Sequence, residues 1–273
     1  MKKILLFSLL LAVGFFTWAQ PKPRSFIYKK IDTVTLKMKI YYPNNYKKDK
    51  IYPAIVLFFG GGWNSGTIDQ FKNQAIHFAA KGMIAITPDY RVNKRQHTSP
   101  FESVKDGRSA IRYVRAHAHD LGVDPNRIVA GGGSAGGHVA AATDLTNIDE
   151  ATDDLNISAR PNALILFNPV FNNGPGEYGY DRIGERYAEI SPYHNILKGA
   201  APTLVFLGTK DHLISVQTAK DYQERMRSVG SRCDLFLYEG QGHGFFNFSK
   251  GKEYYEATLR QSDQFLKELG YMK

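Results

Sequence analysis

Ser134, Asp211 and His243 are the residues of this chain best equipped for covalent chemistry. Ser134 stands in Gly132-Gly133-Ser134-Ala135-Gly136, between an apolar run ending at Ala130 and a helical pattern reaching about Leu145. In a turn sharp enough to expose the serine oxygen, side chains on the neighbours would collide, and glycine removes them. A plain glycine-rich turn or a phosphate-cradling loop would use similar residues. However, no Lys-Ser/Thr pair follows, and no dinucleotide-type glycine spacing is joined to a ribose-binding acid. A serine hydroxyl is a poor nucleophile without a base. His243, in Gly240-Gln241-Gly242-His243-Gly244-Phe245, lies in a glycine-flanked turn from which an imidazole can reach across a sheet edge.

The other seven histidines fit this role less well. His117 and His119 are two apart on a helix and share no face. His77, His97 and His194 lie in ordinary helix or loop surroundings, and His138, one turn after Ser134, would point along its own helix. His212 comes too early in the chain order. A histidine base needs a carboxylate to hold its tautomer and stabilise the imidazolium. Asp211, in Gly208-Thr209-Lys210-Asp211, is the candidate, and a structural salt bridge is its alternative role. Phe59-Gly60-Gly61-Gly62-Trp63 completes the set. Acyl transfer passes through an oxyanion, and one well-aimed N–H donor contributes roughly 2.7–4 kcal/mol. Gly61 and Gly62, joined by Ala135 at a helix start, are the candidate donors; a sterically required turn is the other reading.

The elements that would position these groups alternate between strand and helix. Apolar runs at Ile51–Phe59, Met83–Thr87, Arg127–Ala130, Ala163–Phe167, Thr203–Gly208 and Asp234–Tyr238 read as strands. Helical patterns cover Phe101–His119, the stretch after Ser134, Val216–Val229 and Glu253–Leu269, with Gly122 a plausible cap. Such alternation implies a mainly parallel sheet covered on both faces. Residues 26–42 alternate in polarity and predict leading antiparallel strands. Two segments break the rhythm, the polar loop Asn93–Pro100 and the excursion Phe171–Ile190, and such excursions are often binding loops. The basic residues Lys105, Arg108, Arg112 and Arg115 fall on one helix face and read as solvated.

Composition sets outer bounds. The chain has 273 residues, 43% hydrophobic and 22% charged, which excludes a disordered, collagenous or repeat-only protein. A single cysteine, Cys233, excludes an intramolecular disulfide framework and a Cys-based zinc or iron–sulfur site. The net charge of +9 allows attraction to an anionic polymer without demanding it. No nucleic-acid motif accompanies the charge, so no nucleic-acid partner is expected. Lys2 and Lys3, the apolar run Ile4–Phe16 and Thr17-Trp18-Ala19 have the pattern of a secretory signal peptide over residues 1–19. The expected domain is then residues 20–273, a periplasmic or secreted protein with no stable membrane span.

The four segments around Ser134, Asp211, His243 and Gly60–Gly62, with the order Ser, Asp, His, resemble the α/β-hydrolase fold and its esterase/lipase group. The resemblance runs from about Lys37 to Leu269. Phe59 stands where hormone-sensitive-lipase-like enzymes have histidine, and Gly133 where they usually have an acid. With Asn168-Pro169-Val170-Phe171 and Ser191-Pro192-Tyr193-His194, these features look more like secreted bacterial acetyl-xylan-esterase-like or feruloyl-esterase-like hydrolases. The resemblance implies a mostly parallel central sheet with helices on both faces and a short lid-like insertion. It also implies removal of acyl groups from polysaccharide by a serine hydrolase, with no metal or organic cofactor.

The expectation is a serine carboxylesterase acting on a small acyl ester or an acylated polysaccharide. Trp63, Tyr178, Tyr180 and Arg182 are the candidate substrate contacts, with Tyr187 and Arg186 beside them. The same tyrosines equally fit a solvated loop packed over the core. A prolyl-oligopeptidase-type peptidase shares the fold and residue order. It usually needs a large upstream domain, for which the roughly thirty residues between Ala19 and the first core strand would leave no room. A non-catalytic binding module is the third reading, and such proteins typically lose the nucleophile or base.

Overall fold

The computed structural model describes residues 22–273; the expected signal peptide at 1–19 lies outside them. The strands are β1 (Arg24–Ile31), β2 (Val34–Tyr41), β3 (Tyr52–Phe58), β4 (Ile84–Pro88), β5 (Val123–Gly133), β6 (Ala163–Phe167), β7 (Thr203–Gly208) and β8 (Cys233–Tyr238). The helices are α1 (Lys72–Ala80), α2 (Asn93–Gln96), α3 (Pro100–Ala116), α4 (Ala118–Leu121), α5 (Ala135–Leu145), α6 (Tyr180–Ile183), α7 (Val216–Ser228) and α8 (Lys252–Glu268). The strands form one sheet in the order β1-β2-β4-β3-β5-β6-β7-β8. β2 pairs antiparallel with both β1 and β4, and β3 through β8 run parallel to one another.

The central strands read as unbroken apolar runs because both of their faces are buried. On β3, Ala54, Val56 and Phe58 face a core with Val104, Ile111 and Val139 of α3 and α5. Ile55 and Leu57 point the other way, into a core with Ala75 and Phe78 of α1 and Leu259 and Phe265 of α8. β6 divides likewise, Leu164 and Leu166 against Ala163, Ile165 and Phe167. This is the expected α/β architecture, mostly parallel with helices on both faces. Among the described residues no helix is long and apolar enough to cross a membrane. Cys233 opens β8, is buried, and its thiol is pushed up to about 12 by burial.

The structure adds to or corrects the sequence reading in three places. Helix α1 was not legible in the sequence, because its buried set (Gln74, Ala75, Phe78, Ala79) includes a polar residue and two small ones. The expected single helix to His119 is two, α3 ending at Ala116 and the turn α4 capped by Gly122 in a left-handed conformation. Of the basic face of α3, Arg108 and Arg112 are not solvated, whereas Lys105 and Arg115 are partly exposed. Arg108 and Arg112 are 4% and 7% exposed because residues 146–157 fold back over them.

Asp149 receives Arg108 Nε at 2.5 Å and Arg112 at 2.6 Å, and Asp153 receives Arg112 at 3.1 Å. A second cluster joins this layer to β1 and to the segment after β4: Lys29 and Arg91 both reach Asp106 and Glu150. Burial alone would raise the Asp149 and Glu150 carboxyls, but the bonds from Arg108 and Arg112, and from Lys29 and Arg91, hold both below the ordinary range. Their contribution to stability is therefore fully present above the ordinary carboxylate range and is lost as the pH falls below it, through the lower values these carboxyls have in the folded chain. Asp149→Asn leaves two buried guanidinium groups short of a counter-charge. The expected loss is about 3 kcal/mol or more, a melting-temperature drop of roughly 5–10 °C by calorimetry at neutral pH.

Candidate active site

β5 enters the site at Gly133 and α5 leaves it at Ala135, so Ser134 occupies the corner, with φ 55° and ψ −124°. This is a costly backbone for a residue with a Cβ, and the surroundings hold it there. The Ser134 amide donates to the Phe167 carbonyl at 3.0 Å, and its own carbonyl accepts from His138 and Val170. The flanking glycines are required by contact. A Cβ on Gly132 would sit 2.5 Å from the Gly136 carbonyl oxygen, and one on Gly136 would sit 2.2 Å from those of Phe58 and Phe59.

Asp211 and His243 arrive on the loops after β7 and β8. These loops are joined by Thr209 N to the Tyr238 carbonyl, Lys210 N to the Gln241 carbonyl, and Gly240 N to Thr209 Oγ1. Asp211 Oδ2 lies 2.8 Å from His243 Nδ1, and His243 Nε2 lies 2.8 Å from Ser134 Oγ. The Asp211 side chain is fully buried, and its Oδ1 accepts from the amides of Leu213 and Ile214. A carboxylate only accepts, so His243 carries its proton on Nδ1 and offers the Nε2 lone pair to the serine hydroxyl. The structure thus brings together three side chains scattered over more than a hundred positions.

Asn168 is a contributor that the reading of catalytic types passed over. It follows β6, is fully buried, and has φ 35°. Its amide donates to the Phe206 carbonyl, and its Oδ1 accepts from Gly244 N at 3.0 Å. That bond fixes the carboxamide orientation and leaves Nδ2 facing His243 Nε2 at 3.3 Å. Asn168 therefore pins the histidine loop to the sheet and presents a donor beside the base. The Asn168-Pro169 pair marks the end of a strand, but spacing alone does not assign it to the histidine.

The Gly60–Gly62 loop lies opposite. Phe59 stacks flat on Tyr90, with ring centroids 4.0 Å apart, and the Tyr90 hydroxyl donates to the Phe59 carbonyl at 2.6 Å. The Gly60 amide is taken by Gln70 Oε1 at 2.5 Å. Among the described residues, the amides of Gly61, Gly62 and Ala135 have no protein acceptor, so they are open to an oxyanion. Gly62 is at φ 63°, with Arg182 and Tyr178 closing over it. A cavity of about 230 Å³ is lined by Gly60–Gly62, Ser134, Asn168, Tyr178, Leu213, His243 and Phe246, among others.

The four expected substrate contacts are placed differently from one another. Tyr178 lines this cavity. Trp63 is 1% exposed, beneath the loop, with His138 edge-on at 4.9 Å. Arg182 reaches the Gly62 carbonyl at 2.7 Å. Tyr180 turns away to Glu185 and Tyr187 and does not line the cavity. His138 does not merely follow its helix. It is buried, paired through Nε2 with Asn173 Oδ1 at 2.9 Å, and its pKa is pushed down to about 4 because burial outweighs that bond.

The chain matches the BD-FAE family over residues 38–165 and the dienelactone hydrolase family over residues 177–270. It is 33% identical to carboxylesterase NlhH of Mycobacterium tuberculosis, over 78% of this chain and 72% of that protein. Acetylxylan esterase of Xylanibacter ruminicola is 28% identical over 79% of this chain and 45% of its own length. The chain spans about half the length of several curated relatives, such as esterase LipC of M. tuberculosis, which is 30% identical over 71% of this chain and 53% of its own length. Among solved structures, the apo form of Thermogutta terrifontis esterase 2 superposes with a TM-score of 0.89. It is 43% identical and covers 93% of this chain and 97% of that one.

Asn168→Ala frees the histidine loop and is expected to lower kcat on a short ester by roughly 10- to 100-fold at unchanged fold, from steady-state kinetics alongside circular dichroism. For His138, the unfolded chain takes up a proton near pH 6.5 and the folded chain only near pH 4. Stability is therefore expected to decline as the pH falls across that window, and His138→Gln should flatten this part of a melting-temperature profile.

Proposed function

As the chain belongs to the carboxylesterases of the α/β-hydrolase fold, we propose that it is a serine carboxylesterase hydrolysing short acyl esters, acetyl foremost, on carbohydrate. The observation that carries the reading is the continuous relay Asp211–His243–Ser134 beside three unengaged amides. In the proposed mechanism, Ser134 Oγ attacks the ester carbonyl carbon as His243 Nε2 takes its proton. The imidazolium is stabilised by Asp211. The carbonyl oxygen, now an anion, is held by the amides of Gly61, Gly62 and Ala135, whose help grows as its charge develops. His243 returns the proton to the leaving alcohol, and the acyl group stays on Ser134. Water, deprotonated by the same nitrogen, attacks the acyl carbon, and the acid leaves as the serine recovers its proton.

The cavity of about 230 Å³, walled by Phe246, Tyr178 and Leu213, supports a short acyl group. Propionate- and butyrate-bound structures of Thermogutta terrifontis esterase 2 support the same size class. The acetylxylan esterase relative supports an acetylated sugar as the alcohol side. The N-terminal pattern at residues 1–19 supports an enzyme that works outside the cytoplasm, where polysaccharide is met.

Two results are expected. Ser134→Ala lowers kcat on p-nitrophenyl acetate by at least about three orders of magnitude and abolishes labelling by a fluorophosphonate; undiminished turnover refutes the mechanism. Across p-nitrophenyl esters from acetate to octanoate, kcat/KM falls with chain length. A maximum at octanoate, or faster cleavage of chromogenic amides than of esters, overturns the short-acyl ester assignment.

A further inference from the structure

A second cavity, of about 360 Å³, adjoins the catalytic one and is larger than it. The two share Gly62. The second is walled by Trp63 and Asn64 of the oxyanion loop, by Asn93 and His97–Pro100, and by Arg182. Its walls are the two segments that interrupt the strand–helix rhythm, the loop at 93–100 and the excursion at 171–190. The first is tied down by Asn93 N to the Trp63 carbonyl and Lys94 N to the Asn64 carbonyl, each 2.9 Å. The second is tied down by Arg182 on the Gly62 carbonyl. The cavity is thus a built continuation of the site.

Its chemistry is one-sided. The lining includes two carboxamides, an imidazole, two hydroxyls and one guanidinium, and no carboxylate. Thr98 Oγ1 and Trp63 Nε1 are buried without a hydrogen-bond partner. Arg182 spends one terminal nitrogen on Gly62, and its Nε is 3.6 Å from Asp181, an exposed carboxylate outside the lining. Its other terminal nitrogen has no protein partner among the described residues. The guanidinium plane is supported by the rings of Tyr178 at 4.8 Å and Trp63 at 5.8 Å. The nearby Glu102 is held by the Ser99 amide and hydroxyl. An arginine so braced, with a terminal nitrogen left free in a cavity lined by no acid, suits a carboxylate. The hydroxyl- and amide-rich walls suit a polyol, and the volume is within the range of small-molecule sites.

We infer that this cavity is an alcohol-side subsite for an acidic sugar, a uronate unit of the acylated saccharide, with Arg182 receiving its carboxylate. The inference rests on the esterase reading and deepens it. A small catalytic cavity takes the acyl group, and the larger polar one beside it takes a charged part of the leaving saccharide. The positive net charge, +9 for the full sequence and still positive without Lys2 and Lys3 of the expected signal peptide, works in the same direction at longer range.

The test compares kcat/KM on acetylated oligosaccharides with and without a uronate substituent, together with inhibition of p-nitrophenyl acetate hydrolysis by glucuronate and by glucose. The wild type is expected to favour the acidic oligosaccharide by at least about 10-fold at low salt, the ratio shrinking as salt is added, and to be inhibited by glucuronate well below the concentration at which glucose acts. Arg182→Gln should bring the ratio to about one, Arg182→Lys should keep part of it, and Thr98→Phe should weaken both saccharides by narrowing the cavity. Using a ratio cancels any effect of Arg182 on the oxyanion loop. Equal turnover of both oligosaccharides overturns the subsite and leaves the carbohydrate-esterase reading standing. Turnover of neither, with p-nitrophenyl acetate still cleaved, refutes the carbohydrate reading. In that case glucuronate inhibition that Arg182→Gln abolishes still supports an acid-binding cavity, and inhibition no stronger than that of glucose overturns it.

Discussion

The bend at Ser134 is the constraint from which the rest of the site follows. A backbone at φ 55° with a side chain attached is held only because β3 and β6 clamp it from either side. The clamp leaves no room for a Cβ at positions 132 and 136. It also fixes the start of α5, where the Ala135 amide, next in the chain after Ser134, has no intrahelical acceptor. Everything else is arranged around that corner. The loops after β7 and β8 deliver the carboxylate and the imidazole, and the loop after β3 supplies the remaining amides. A parallel sheet makes this convergence cheap, because the carboxyl ends of its strands share one edge.

The loop after β3 shows one physical task met by different means. Where hormone-sensitive-lipase-like enzymes carry histidine, this chain carries Phe59, which gives up side-chain hydrogen bonding. The position is instead fixed by a flat aromatic stack on Tyr90, by the Tyr90 hydroxyl on the Phe59 carbonyl, and by Gln70 on the Gly60 amide. Beneath the loop, the neutral His138 and Asn173 prop Trp63. With Gly60 already satisfied by Gln70, Gly61, Gly62 and Ala135 are left as candidate donors.

Much of this was legible in the residues, and the illegible parts have a common cause. β6 and β7 match their apolar runs residue for residue, because strands buried on both faces leave an unmistakable pattern. Ser134, Asp211 and His243 stood out because each follows a strand and keeps unusual neighbours. What stayed hidden depends on partners distant in sequence. Arg108 and Arg112 look solvated until residues 146–157 cover them. Asn168 looks like a turn residue until the loop carrying Gly244 lands on it. Tyr180 and Arg182 are two apart on a short helix, so one faces the oxyanion loop and the other does not; periodicity could say they diverge but not which faces inward.

Cys233 carries a consequence of its own. At the start of β8, shielded from water and with its thiol pushed up to about 12, it holds almost no thiolate near neutrality. Thiol–disulfide exchange proceeds through the thiolate, so this sulfur is a poor partner for glutathione or for another chain. The fold contains no covalent cross-link to make or break, and its single sulfhydryl is out of reach. The molecule should therefore mature and work indifferently in reducing and oxidising surroundings, needing neither a reductant nor a disulfide isomerase.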